Sequence, residues 1–136
     1  MIQMNKDISY FKERRGGYRM NFKEETLEEL KEHGKTWEDV KFIQGKDFSV
    51  ANSKEEILEL MDFEYYDGYG SPDIATDLVI VGEDWWLERH EYDGSEWWEY
   101  KELPAIKSES KKVKSFVAKN IGWKSLKEIL EEENNE

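Results

Sequence analysis

Two carboxylates and an imidazole are the chain's best candidates for chemistry: Glu88, His90 and Glu99. Strand alternation puts Glu88 and His90 on one face of a β-strand. A tight turn at Asp93-Gly94 brings Glu99 directly opposite Glu88. Like charges facing each other across a sheet destabilise it, so something must compensate. A divalent cation held by two carboxylates and an imidazole is one answer. A raised carboxylate pKa, giving a general acid with the second carboxylate as base, is another and would suit a hydrolase. The plainer answer is relief by Lys101 or by a lysine of the C-terminal segment.

The element that positions these groups is Trp85 to Lys101. Asp-Gly is a strong signal for a two-residue hairpin turn, because both central positions take φ > 0. The turn pairs Tyr92 with Ser95, His90 with Trp97, Glu88 with Glu99 and Trp86 with Lys101. One face then carries Trp85, Leu87, Trp98 and Tyr100, and the other Trp86, Glu88, His90, Tyr92, Trp97, Glu99 and Lys101. A one-residue slip would mix these sets. Upstream, Leu78-Val-Ile-Val81 is an apolar run of the kind covered on both faces. A turn at Gly82-Glu83-Asp84 sets Val81 near Trp85 and Val79 near Leu87, and places Leu78 and Ile80 on the Trp86 face. Their need for burial favours C-terminal helices covering that face, with Trp86 and Trp97 beneath them rather than free as a binding surface.

Elsewhere, Glu24 to His33 reads as a short helix with Leu27 and Leu30 inward and Gly34 as its stop. Val40–Gln44 and Phe48–Val50 around Gly45-Lys-Asp47 suggest a second hairpin. Ser53 and Glu56 form a capping box for a helix with Ile57, Leu58, Leu60 and Met61. A loop with Tyr65, Tyr66 and Tyr69 follows, and tyrosines on loops supply contact area at low entropic cost. Val113, Phe116 and Val117 mark one C-terminal helix, and a Ser125/Glu128 capping box opens a second. The expected fold is α+β: an antiparallel sheet of about five strands in two hairpin units, one central helix and a C-terminal helical pair. The expected organisation is an N-terminal basic arm (1–20), an acidic α+β domain (21–104) and a Lys-rich helical segment (105–136) packed on the domain.

Composition narrows the function. The chain has 136 residues and a net charge of -12, with 38% charged and 14% aromatic residues. So many aromatics exclude a simple disordered acidic tail. No apolar run approaches a membrane span, so the expectation is a soluble, cytoplasmic protein with no membrane contact. The absence of Cys excludes disulfides and thiolate chemistry. Residues 21–102 hold 8 basic and 24 acidic side chains, while residues 107–127 carry seven Lys and one Glu. The acidic middle repels nucleic acid and anionic membrane and attracts basic protein. Two nucleic-acid motifs fail on inspection. Gly34-Lys35-Thr36 has Glu29 where a phosphate loop needs glycine. The Ala118 to Gly122 spacing of a helix-turn-helix leads into a helix bearing Glu128 and Glu131–Glu133.

Leu78-Val-Ile-Val-Gly82, Asp84-Trp-Trp-Leu-Glu-Arg89 and Asp93-Gly-Ser-Glu-Trp-Trp-Glu-Tyr100 together resemble a segment of short phage and prophage proteins of Gram-positive bacteria. The resemblance covers roughly residues 54–104. It implies a phage or mobile-element origin and carries no catalytic residues; small acidic phage proteins include anti-defence factors such as anti-CRISPR inhibitors and DNA mimics. The expected function is therefore a non-enzymatic inhibitor, without a cofactor, of a basic nucleic-acid-handling host protein. Its contact residues would be Glu83, Asp84, Glu88, Glu91, Asp93, Glu96 and Glu99 for charge, with Trp86, Trp97 and Tyr69 as anchors. The alternatives are a metal- or ligand-binding protein or hydrolase at Glu88, His90 and Glu99, and an assembly component docking through its C-terminal helices.

Overall fold

A computed structural model describes residues 18–68 and 70–135, with the side chain of Tyr18 excepted. Most of the basic arm and Tyr69 thus lie outside the described residues. The chain divides into two compact units, the first ending at Leu103 and the second running Pro104–Glu136. Among the described residues the fold is mixed α+β, with three α-helices and two antiparallel sheets.

In the first unit, β1 (Tyr18–Asn21) pairs with β3 (Glu64–Asp67) as a two-stranded ribbon. Residues 18–20, expected in the arm, therefore belong to the folded domain. Asn21 ends β1 and caps α1 (Phe22–Glu32), its side chain accepting from the Glu24 N–H at 2.9 Å. Phe22, Thr26 and Leu30 form the buried stripe of α1. At its far end Gly34 (φ 71°) and Lys35 donate to Lys31 and Leu30, a Schellman closure that suits glycine. A short 3₁₀ turn (Trp37–Asp39) leads to β2 (Phe42–Gln44). The second arm of the expected hairpin at 48–50 contributes only an isolated bridge between Gln44 and Ser49. Helix α2 (Lys54–Met61) opens on the expected Ser53/Glu56 capping box and buries Ile57 and Met61.

The larger sheet has the order β2, β4 (Val79–Val81), β5 (Trp85–Tyr92), β6 (Ser95–Glu102), every pair antiparallel. The β5–β6 register is the one expected from Asp93-Gly94, residue for residue. Asp93 (φ 50°) and Gly94 (φ 88°) take the left-handed backbone the turn requires. The β4–β5 register differs by one residue: Val81 faces Trp86 and Ile80 faces Leu87. The Gly82 N–H bonds the Trp85 carbonyl at 2.8 Å, leaving a two-residue turn of Glu83-Asp84. A Cβ on Gly82 would fall inside the Trp85 indole, so glycine lets that ring fold over the turn. The slip moves Ile80 and Leu78 off the Trp86 face and onto the Leu87 face. Ile80 and Leu87 are both fully buried there, in a core with Phe22, Leu30, Ile57 and Trp98. Val79 and Val81, half-buried, take the outer positions instead.

The second unit contains one helix, α3 (Leu126–Asn134), opened by the expected Ser125/Glu128 box. The helix expected over Val113–Val117 is absent. There the Ser115 hydroxyl accepts from the Val117 N–H at 3.0 Å, a local bond that competes with helix geometry. Asn120 (φ 60°) and Trp123 (φ 66°) break the backbone further on. No helix of the described residues is long and apolar enough to cross a membrane.

Candidate functional site

The outer face of β5–β6 presents a connected row of polar and aromatic groups. The Trp86 indole N–H donates to one Glu88 oxygen at 2.6 Å, and the other lies 2.6 Å from His90 Nε2. On the far side of the ring, His90 Nδ1 stands 3.6 Å from Glu99. Glu99 accepts from the Trp97 indole at 3.2 Å and pairs with Lys101 at 3.3 Å. His90 and Trp97 are stacked with centroids 6.5 Å apart. The row results from alternation: in each strand the indole sits two residues from the carboxylate it donates to, and the hairpin register brings the two pairs together.

Two chemical consequences follow. The Trp86 N–H, then the His90 bond, holds the Glu88 carboxyl below the usual range. The Trp97 N–H, then Lys101, does the same for Glu99. The expected general acid would need a raised carboxylate pKa, whereas these hydrogen bonds lower both. The imidazole turns one nitrogen to each carboxylate, so the three residues do not converge on one point as ligands of a single ion would. The like-charge problem is met by two indoles, His90 and Lys101.

The other expected contact residues separate. Trp86, Glu88, Trp97 and Glu99 share the outer face, beside the exposed Tyr92 (77%) and Phe42 (45%). Glu91 and Asp93 are exposed at the hairpin tip, but Glu91 belongs to the opposite face by alternation. Glu83 and Asp84, also exposed, line a polar cleft of about 280 Å³ with Lys35, Glu38, Asp39 and Lys41. Glu96 is not a surface charge. It is only 3% exposed, accepts from the Asp73 and Ile74 N–H groups at 2.7 and 3.2 Å, and pairs with Arg89 at 3.0 Å. Its own N–H donates to Asp67 at 2.6 Å. Glu96 thus ties Asp67 at the end of β3, and Asp73 and Ile74, to the hairpin.

Sequence reasoning missed the network behind this carboxylate. Arg89, buried on the core face, also reaches Glu25 of α1 at 3.2 Å, and Tyr65 donates to Glu25 at 2.5 Å. The guanidinium lies 4.8 Å from the Trp98 ring centroid and 5.3 Å from that of Phe22. Burial raises the Glu25 pKa against the pull of Tyr65 and Arg89. The signal was in the alternation: residues 85, 87 and 89 share a face, and a cation there needs buried anions. Also unforeseen is an apolar cavity of about 270 Å³ lined by Ile43, Ile57, Met61, Ile74, Leu78 and Ile80.

Comparison with protein-family models, with curated proteins and with solved structures finds no match to this chain.

Proposed function

We propose that the chain is a non-enzymatic interaction protein, of phage or mobile-element type, that binds a basic nucleic-acid-handling protein through the outer face of β5–β6. The observation that carries this reading is the indole-pinned carboxylate pair. Glu88 and Glu99 are held ionised and in fixed positions beside Trp86 and the 36% exposed Trp97. Preordered anions reduce the entropy lost when a cationic side chain docks on them. Exposed aromatic surface next to them supplies the anchor such an interface needs. Carboxylates on this face take the place of phosphates for the partner's Lys and Arg, while the rim charges at Asp93, Glu91, Glu83 and Asp84 steer its approach. A general acid, which would have to be protonated at neutral pH, is not favoured on this face, where hydrogen bonds lower both carboxyl pKa values.

The test is affinity capture from bacterial lysate by the tagged full chain, with elution first by salt and then, in a parallel run, by duplex DNA or RNA. The expected result is a nucleic-acid-binding protein released by moderate salt and by the polynucleotide. A partner that polynucleotide does not displace would contradict mimicry.

A further inference from the structure

The chain has two histidines, and they sit in clusters of opposite geometry. His90 lies between its carboxylates. His33, at the end of α1, lies beside them: one donor atom each from Glu29, Glu32 and His33 falls within 4.8 Å of the others. The spacing i, i+3, i+4 puts all three on one helical face. His33 Nε2 and Glu29 Oε2 are 3.0 Å apart. Two ligands each about 2.0–2.1 Å from a zinc ion stand about 2.9–3.4 Å apart at ordinary bond angles, so this pair is already at coordination distance.

We propose that Glu29, Glu32 and His33 bind one divalent transition-metal ion, of which Zn²⁺ is the representative. Three further features support the site. The His33 ring is stacked on Tyr100 at 3.9 Å and 5°, and Tyr100 is in turn stacked on the buried Trp85. The imidazole plane is thus set by the sheet and not by the helix alone, which lowers the entropy lost on metal binding. The cluster lies in the last turn of α1, where the helix dipole is negative and favours a cation. Glu29 and Glu32 are like charges there; among the described residues Glu29 pairs with His33 itself, and neither carboxylate forms an ion pair with a Lys or Arg. One imidazole with two carboxylates selects the zinc class over Mg²⁺, which prefers oxygen ligands alone. Three protein ligands at an exposed site leave the remaining positions to water.

The experiment titrates Zn²⁺, and separately Mg²⁺, into chelator-stripped, tag-free full chain by calorimetry. The expected result is one Zn²⁺ per chain with no comparable Mg²⁺ binding. His33→Ala and Glu32→Gln should each weaken Zn²⁺ by at least about tenfold, while His90→Ala leaves it unchanged. Glu32 is exposed, so its variant decides the matter even if loss of the Tyr100 stack unfolds His33→Ala. Absence of Zn²⁺ binding in the wild type would overturn the proposal. So would affinity that survives Glu32→Gln and His33→Ala, or that disappears in His90→Ala.

Discussion

Glu88 and Glu25 show how one residue type is driven in opposite directions by its surroundings. Indole and imidazole hydrogen bonds lower the pKa of Glu88, whereas burial raises that of Glu25. A lowered folded pKa contributes stability that is present above the unfolded value, near 4.5, and is lost as pH falls through the folded one. The melting-temperature difference between wild type and Glu88→Gln should therefore be largest near neutrality and shrink below that value. Glu25 has the reverse sign: its contribution is complete below 4.5 and is lost as pH rises through its folded pKa. Relative to wild type, Glu25→Gln should become more stable as pH rises. Melting curves of both variants across pH 3–8 check the two signs (an interval of about two units on either side of the carboxylate range); parallel curves would contradict them. At this scale the sequence showed which residues share a face, as for Trp86, Glu88 and His90, but not that the Trp86 indole would lower the Glu88 pKa. It was not legible where the partner comes from a distant element, as Glu25 and Tyr65 do for Arg89.

Elements were readable where a local signal sets the geometry. Asp93-Gly94 determines a two-residue turn, and that turn determines the whole β5–β6 register. The capping boxes at Ser53 and Ser125 marked two helix starts in the same way. The pairing expected from Gly82-Glu-Asp84 was out by one residue, because burial of Ile80 against Leu87 sets the register, a tertiary preference not visible in the turn itself. The Lys-rich stretch around Val113 had helical spacing but only three apolar residues to bury, too little to outweigh a local Ser115 bond. Glu96 joins elements instead of decorating one. Glu96→Ala leaves Arg89 without one of its two anions and strips the acceptor from two backbone N–H groups. The expected cost is about 3–5 kcal/mol, the usual consequence of breaking a buried pair. Urea denaturation measures it, and a loss below about 1 kcal/mol, the level of exposed ion pairs, would contradict the structural role.

For the whole molecule, the acidic excess of residues 21–102 is divided between two tasks. Glu25 and Glu96 are spent inside on Arg89, while Glu83, Glu91 and Asp93 remain at the surface to set the field. Among the described residues, the main cluster of buried hydrophobic residues runs from Phe22 to Trp98, while Ile129 is buried in the second unit. A chain ending at Leu103 should accordingly keep a cooperative melt and its near-UV aromatic signal, and loss of the transition would show that the C-terminal unit is needed for folding. On the proposed function, the outer face of β5–β6 is the contact surface and the hairpin tip acts only at a distance. The most direct measurement is partner capture by two melt-matched double variants, Trp97→Ala/Glu99→Lys on the face and Glu91→Lys/Asp93→Lys at the tip. The face variant should capture nothing, while the tip variant should still capture the partner and release it at lower salt. Capture that survives the face variant unchanged would contradict the proposal.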